Sequence, residues 1–293
     1  MTFTRILTRA LAFLLLIPAI AAADYSREEV IGSSQGNHRL DCTILRPWTS
    51  DAGRISGPDG GFQILGWTNG WGQGNVFGAD QIDSYVNGLE YWVEEGKYVV
   101  VAANQWSARA PDILQCLQWL IDESEDENSE YYDVLDIFSI GLSGHSQGGG
   151  AALKAGGGTL SHSGGTTQIT TVAAMNPYGP SYVKAADQNG QVFILSGDSD
   201  TVTPTASMSA VINSVIRSET PGGLLAELVD GTHCDPACEV DFGVFGEASL
   251  LWFDIYLRGL EKCDQLEALL TTADPAWNLE ASNNFVCSFG TGP

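Results

Sequence analysis

The stretch Ile137-Phe-Ser-Ile-Gly-Leu-Ser-Gly-His-Ser-Gln-Gly-Gly-Gly150 predicts a strand, a sharp turn and a helix in direct succession. Its first residues form an apolar run typical of a buried strand, and Ala151–Ala155 favours the start of a helix. A Gly-x-Ser-x-Gly sequence in this context is typical of a nucleophile elbow, whose turn exposes the serine side chain. Ser146 is therefore the candidate nucleophile; the alternative is a tight turn without a chemical role.

Segments typical of strands and helices alternate along the rest of the chain. Strand-like runs lie at 38–46, 62–67, 98–102, 168–175, 191–196 and 224–229, and helix-like runs lie at 81–95, 113–121, 205–217 and 245–260. This alternation predicts an α/β fold in one domain, with a mostly parallel central sheet flanked by helices. The segment 156–167 is short, polar and expected to be flexible, so we predict no large lid after the elbow helix.

The first 23 residues have the pattern of a secretory signal peptide. Arg5 and Arg9 precede an apolar run of about eleven residues, and Ala21-Ala-Ala23 provides a cleavage site. The run is short for a bilayer span, although an uncleaved anchor is the alternative. We expect cleavage after Ala23, a mature catalytic domain over 24–293, secretion to the medium or the periplasm, and no membrane association afterwards.

The chain is strongly acidic, with 36 Asp and Glu residues against 13 Lys and Arg residues and a net charge of −23. Removal of residues 1–23, which contain two arginines and no acid, would change this charge to −25. A surface with this charge repels nucleic acid and anionic membranes. We therefore expect no nucleic-acid partner, and we expect the protein to be a monomer.

Six cysteines in an exported chain indicate disulfides, and six allow fifteen pairings. Cys263 and Cys287 both follow the last long predicted helix and could join the C-terminal tail to it. Cys234 and Cys238 enclose a short loop, and Cys42 and Cys116 would pair by elimination. A zinc site at His233, Cys234 and Cys238 is the alternative, but the spacing matches no familiar zinc pattern.

A serine nucleophile needs a base to accept its proton and a carboxylate to orient that base. Of the four histidines, only His233 follows a late strand, at the sheet edge where binding residues gather. His145 lies inside the elbow and is expected to point away from the base position. The strand at 191–196 leads to Asp198 and Asp200; we prefer Asp200, because Asp198 is better placed to form a turn. The chain order Ser146, Asp200, His233 agrees with the acid-then-histidine order of the α/β-hydrolase triad.

A tetrahedral intermediate also needs N–H donors for its oxyanion. The backbone N–H of Gln147, directly after the nucleophile, is the first candidate. The second is the backbone N–H of Trp67, which we place in the loop after an early strand. The Trp67 indole could also line an acyl pocket, or it could simply cover the core.

Five motifs in this order resemble those of the bacterial cutinase and poly(ethylene terephthalate) hydrolase group of α/β-hydrolases, with dienelactone-hydrolase-like and chlorophyllase-like relatives. They are Gly66-Trp-Thr68, Gly144-His-Ser-Gln-Gly-Gly149, Asn176-Pro-Tyr178, Asp200-Thr-Val-Thr-Pro204 and Gly231-Thr-His233. The resemblance covers most of the mature chain and implies an α/β-hydrolase fold. It implies a triad of Ser146, Asp200 and His233, and oxyanion donors at Trp67 and Gln147. It also implies that Tyr178 replaces a tryptophan that stacks on aromatic substrates.

The chain departs from that group at two of these positions, because Trp67 stands where Tyr or Phe is usual and Gln147 where Met is frequent. We expect a secreted serine esterase that hydrolyses carboxylic esters through an acyl-enzyme, without a cofactor or metal. Cutinase-like or polyester substrates with short-to-medium acyl groups are expected. The alternatives are an esterase for small soluble esters, such as feruloyl or acetyl esters, and a non-catalytic binding protein on the same fold.

Overall fold

A computed structural model describes residues 25–33, 39–48, 58–71, 81–104, 109–178, 188–205, 222–272 and 276–283. Several sequence predictions lie outside these residues: the signal peptide, nearly all of the helix at 205–217, and Cys287. Residues 179–187, which lie between the elbow helix and the acid-bearing strand, are also outside them. The absence of a large lid therefore stays a prediction.

Among the described residues, the centre of the fold is a nine-stranded sheet in which six adjacent strands run parallel. The sheet order is β1-β2-β4-β3-β5-β8-β9-β10-β11, with β1 and β2 at one edge and the antiparallel β11 at the other. In chain order the described strands are β1 (Ser26–Ser33), β2 (Arg39–Arg46), β3 (Phe62–Thr68), β4 (Val99–Ala103), β5 (Leu135–His145), β6 (Thr159–His162), β7 (Gly165–Gln168), β8 (Thr171–Met175), β9 (Gln191–Gly197), β10 (Gly223–Leu228) and β11 (Trp277–Asn283).

Helices cover both faces of this sheet, and each face has its own hydrophobic cluster. The described helices are α1 (Val86–Glu94), α2 (Ala110–Glu125), α3 (Gln147–Ala155), α4 (Asp235–Cys238), α5 (Gly243–Arg258) and α6 (Cys263–Thr272), with 3-10 turns at Gln81–Ser84 and Val240–Phe242. In β4, Val99 and Val101 join the cluster under α2 and α3, whereas Val100 and Ala102 join the cluster under α1, α5 and α6. Successive side chains of a strand point to opposite faces, so a strand covered on both faces has a continuous apolar sequence. The predicted mixed α/β class with a mostly parallel, helix-flanked sheet is confirmed.

The strand predicted at 168–175 is shorter in the structure. Only Gln168 of it belongs to β7, which pairs with β6 in a small hairpin separate from the main sheet of the described residues, and β8 begins at Thr171 and enters that main sheet. The segment predicted to be flexible at 156–167 therefore contains most of an ordered hairpin. Its turn includes Gly165, whose φ of +141° is a conformation that L side chains rarely adopt.

Two disulfides join described cysteines. Cys42 of β2 pairs with Cys116 of α2, and Cys234 pairs with Cys238 across α4. Both pairings agree with the sequence prediction, whereas the third predicted pair includes Cys287 and lies outside the described residues. Within the ranges given above, no helix is long and apolar enough to cross a membrane.

The two disulfides close loops of very different length, with sequence separations of 74 and 4. Restricting the longer loop in the unfolded chain should stabilise more. We expect Cys42→Ala/Cys116→Ala to lower the free energy of unfolding by about 4 kcal/mol and Cys234→Ala/Cys238→Ala by about 2 kcal/mol. Urea unfolding of the oxidised proteins measures both values, and a larger loss for the Cys234–Cys238 pair would contradict this account.

Candidate active site

Ser146 stands at the turn between β5 and α3 in a backbone conformation that residues with side chains rarely adopt. Its φ is 56° and its ψ is −122°. The turn brings β5 and α3 close to the end of β3. A Cβ on Gly144 of β5 would lie 2.2 Å from Thr68 Oγ1, and a Cβ on Gly148 of α3 would lie 2.0 Å from the Thr68 carbonyl oxygen. Only glycine fits at these two positions, which explains both glycines of the motif.

His233 follows β10 in the turn that begins at Asp230, whose φ is also positive. Its Nε2 lies 2.9 Å from Ser146 Oγ, and its Nδ1 lies 2.7 Å from Asp200 Oδ2. Solvent reaches the base but not the acid, because 18% of the His233 side chain is exposed and none of the Asp200 side chain. The structure thus brings together the three side chains that the sequence proposed for nucleophile, base and acid.

Asp200 follows β9 and is surrounded by donors. Its Oδ1 accepts the backbone N–H groups of Val202 and Thr203, each at 2.8 Å, and its Oδ2 accepts the Thr203 hydroxyl at 2.6 Å. Burial alone would raise the pKa of Asp200, but these hydrogen bonds and the one to His233 outweigh it and lower the pKa to about 2. Asp198, the rival candidate, is exposed and accepts a hydrogen bond from Ser199 Oγ.

This arrangement suits nucleophilic chemistry at serine. With an ionised Asp200 on Nδ1, the neutral imidazole carries its proton on that nitrogen, and Nε2 is left free to accept the proton of Ser146. A serine activated in this way can attack an electrophilic carbon, and the imidazolium that forms is stabilised by the carboxylate beside it.

A cleft of about 520 Å³ opens over Ser146. Gly70, Trp71, Ser146, Gln147, Tyr178, Val202 and His233 line it. Three of these side chains are apolar and exposed: Trp71 at 67%, Val202 at 55% and Tyr178 at 48%. The backbone of Tyr178 is hydrogen-bonded to the elbow, since its N–H donates to the Ser146 carbonyl oxygen at 2.7 Å. Two of the residues that the sequence proposed for the site, Gln147 and Tyr178, thus line the cleft over Ser146.

The structure places Trp67 away from the cleft, unlike the sequence prediction. Trp67 lies inside β3, a strand that is paired on both sides, so its backbone groups face the neighbouring strands. Its indole is completely buried, stacks on Phe242 and donates to Asn69 Oδ1 at 2.8 Å. Trp67 is therefore a core residue, and the predicted roles as oxyanion donor and substrate contact do not fit its position.

Three cleft residues were missed by the sequence analysis: Gly70, Trp71 and Val202. A signal for the first two was present, because Gly70-Trp71 repeats the Gly66-Trp67 pair four residues later. The apolar run ends at Trp67, but Thr68 continues β3 by pairing with Ala103 and Gly144. The loop therefore starts after Thr68, and Gly70 and Trp71, rather than Trp67, line the cleft.

The zinc alternative loses two of its ligands in this structure. Cys234 and Cys238 are joined to each other in a disulfide, so neither offers a thiolate, and His233 Nδ1 is engaged by Asp200. Across the described residues, no group of three or more His, Cys, Asp or Glu side chains is arranged to hold a metal ion.

No protein-family model matches the chain, and a search of curated proteins found no match. The case for any function therefore depends on the site itself.

The two aspartates provide a matched pair of variants, since Asp198→Asn and Asp200→Asn make the same change two residues apart. Asp200→Asn should slow the reaction of Ser146 with a fluorophosphonate by about 10⁴-fold, because an amide no longer holds the Nδ1–H tautomer of His233. Asp198→Asn should change that rate less than about twofold, since an exposed carboxylate hydrogen-bonded to a neighbour has little influence. Equal losses in the two variants would remove Asp200 from the acid role.

Proposed function

We propose that the protein is a secreted serine esterase of the α/β-hydrolase type that cleaves carboxylic esters through an acyl-enzyme. One observation carries the proposal: Ser146, His233 and Asp200 form a continuous hydrogen-bonded chain with distances of 2.9 Å and 2.7 Å beneath an open cleft. The positions of these residues after parallel strands, in the order serine, acid, histidine, agree with that fold type.

The reaction begins when Ser146 Oγ attacks the ester carbonyl carbon while His233 Nε2 takes the hydroxyl proton. The tetrahedral intermediate collapses as the bond to the alcohol oxygen breaks, and His233 returns the proton to the leaving alcohol. Water then attacks the acyl-enzyme by the same route, giving the carboxylic acid and free Ser146. Asp200 keeps the imidazole in the required tautomer and stays ionised throughout, consistent with its lowered pKa.

The oxyanion needs donors that point at the cleft. Gln147 is the first residue of α3, and the first N–H groups of a helix have no acceptor within it. For the second donor we replace Trp67 by the backbone N–H of Trp71. The loop is close enough for this role, because a Cβ on Gly70 would lie 3.3 Å from Ser146 Cβ. The Gly70 N–H itself is directed to Tyr85, so the next amide along the loop is the candidate.

The shape and composition of the cleft favour an apolar acyl or polyester chain. Trp71, Tyr178 and Val202 form exposed walls around Ser146, and aromatic walls bind flat or aliphatic groups. The strong negative charge of the chain disfavours anionic substrates and favours departure of the carboxylate product. These features support a cutinase-like or polyester hydrolase activity over a preference for charged soluble esters.

Export of the protein is supported by its disulfides, which persist in oxidising compartments.

Esters of small soluble acids, such as acetyl or feruloyl esters, are the nearest alternative substrates. A panel of p-nitrophenyl esters with rising acyl length, together with a polyester film, separates these substrate classes. Butyrate and hexanoate should be better substrates than palmitate, because a cleft of about 520 Å³ with exposed walls can bury only a short acyl chain.

Ser146→Ala tests the proposed chemistry directly. Because this variant removes the nucleophile and little packing, we expect ester hydrolysis to fall by about a million-fold while the unfolding midpoint stays near that of the wild type. The rate of p-nitrophenyl butyrate hydrolysis and a thermal unfolding curve measure the two properties. Retention of more than about a tenth of the wild-type rate would refute the nucleophile assignment, and an inactive wild type would favour a binding protein.

The aromatic walls are tested with Trp71→Ala and Tyr178→Ala. Each should raise KM for p-nitrophenyl benzoate by roughly two- to tenfold, and should raise KM for the butyrate ester less, since each removes one aromatic contact. Phe138→Ala is the matched control, because Phe138 is 62% exposed but lies near the opposite end of β5 from Ser146. Equal effects on benzoate and butyrate, or an effect in the control, would contradict a role of these side chains in substrate binding.

A further inference from the structure

His145, directly before the nucleophile, is completely buried and has a hydrogen-bond partner on each ring nitrogen. Its Nδ1 lies 2.8 Å from the Tyr85 hydroxyl, and its Nε2 lies 2.7 Å from the backbone carbonyl oxygen of His233. The Tyr85 hydroxyl in turn lies 3.2 Å from the backbone N–H of Gly70. A continuous chain of polar groups therefore links the base, the elbow and the cleft loop.

The groups at the two ends of this series of hydrogen bonds, the His233 carbonyl and the Gly70 N–H, set the direction of the hydrogen bonds that they make. The His233 carbonyl can only accept, so His145 Nε2 carries a proton, and the Gly70 N–H can only donate, so the Tyr85 oxygen accepts it. Burial, followed by the proximity of His233, lowers the pKa of His145 to about 3, which leaves the ring neutral and Nδ1 without a proton. Tyr85 therefore donates its hydroxyl proton to His145, and burial raises the pKa of Tyr85 so that this proton is retained.

Tyr85 is well suited to hold a loop in place. It stands just before α1, is 1% exposed, and packs against Trp67 and Phe242 in the core. Gly70 is in close contact with the same groups, since a Cβ on it would lie 2.7 Å from the Tyr85 hydroxyl and 3.2 Å from His145 Nδ1. The loop therefore packs directly against the Tyr85 hydroxyl and the His145 ring where it approaches the elbow.

We propose that Tyr85 and His145 are positioning residues of the active site, which together fix the Gly70–Trp71 loop and the backbone of His233 relative to Ser146. This inference rests on the proposed function, because the loop matters through the oxyanion donor at Trp71. Neither side chain lines the cleft, so both act through other residues.

The His233 backbone and the Gly70 N–H differ in how much their positions depend on Tyr85 and His145. The His233 backbone has a second support, since Asn176 Nδ2 donates to the Thr232 carbonyl at 3.0 Å and to the His233 carbonyl at 3.3 Å. For the Gly70 N–H, the Tyr85 hydroxyl is the acceptor found among the described residues. Loss of the hydroxyl should therefore disturb the oxyanion loop more than the base.

Tyr85→Phe tests the proposal, with Tyr98→Phe as the matched control. Tyr98 is also completely buried, and its hydroxyl donates to Asp254 at 2.8 Å, but it stands before β4, at the sheet end away from the cleft. Both variants should lower the unfolding midpoint. Tyr85→Phe alone should lower kcat for p-nitrophenyl butyrate by roughly ten- to a hundredfold with KM nearly unchanged, since a displaced oxyanion donor affects the transition state. It should weaken inhibition by phenylboronic acid, a tetrahedral mimic, by a similar factor.

A second variant, His145→Leu, breaks the same link from the other side, because a leucine side chain can neither accept the Tyr85 hydroxyl proton nor donate to the His233 carbonyl. It should lower kcat as well, and the double variant should lose less than the product of the two single losses, because one hydrogen bond is removed twice. Independent losses, or equal kcat values for Tyr85→Phe and Tyr98→Phe, would overturn the positioning role. Titration of wild-type Ser146 with a fluorophosphonate separates the two questions, because a wild type that neither reacts nor hydrolyses esters refutes the proposed function itself.

Discussion

The site depends on the backbone of Ser146, which is held in the left-handed region although it bears a side chain. Such a conformation costs on the order of 1–3 kcal/mol and persists only when its surroundings determine it. Here the Ser146 N–H donates to the Met175 carbonyl of β8, and its carbonyl accepts the N–H groups of Gly150 and Tyr178. These contacts hold the Ser146 backbone so that its hydroxyl lies 2.9 Å from His233 Nε2, the base that Asp200 orients from the other side of the ring.

The loops that meet Ser146 are joined to each other by backbone contacts. A Cβ on Gly197 would lie 2.2 Å from the Gly231 carbonyl oxygen, and the Ser199 N–H donates to that oxygen at 2.9 Å. The acid loop after β9 and the base loop after β10 therefore hold each other at a set distance. Asn176 adds to this, because its Oδ1 accepts the Gly197 N–H while its Nδ2 donates to the base loop. Polar groups that are paired before substrate arrives need little rearrangement during the reaction.

Much of the fold could be predicted from local pattern. The apolar runs of β3, β4, β9 and β10 were located because strands buried on both faces have continuous apolar sequences. Edge strands lack that signal: β1 reads Ser-Arg-Glu-Glu-Val-Ile-Gly-Ser and β11 reads Trp-Asn-Leu-Glu-Ala-Ser-Asn, and neither was predicted. The hairpin of β6 and β7 was also missed, since it lies almost entirely in the polar segment 156–167 and its strands pair with each other rather than with the main sheet.

The sequence by itself determined the elbow, because two glycines around a serine between a strand and a helix are a local requirement of the backbone at Ser146. It also indicated His233 and Asp200, because each follows a strand whose carboxyl end lies at the same sheet edge. Only the tertiary structure decided which Gly-Trp pair reaches the cleft, since the end of β3 depends on hydrogen bonds to strands distant in the sequence. The partners of His145 were likewise decided by packing, because Tyr85 and the His233 carbonyl come from separate elements that only the folded sheet brings together.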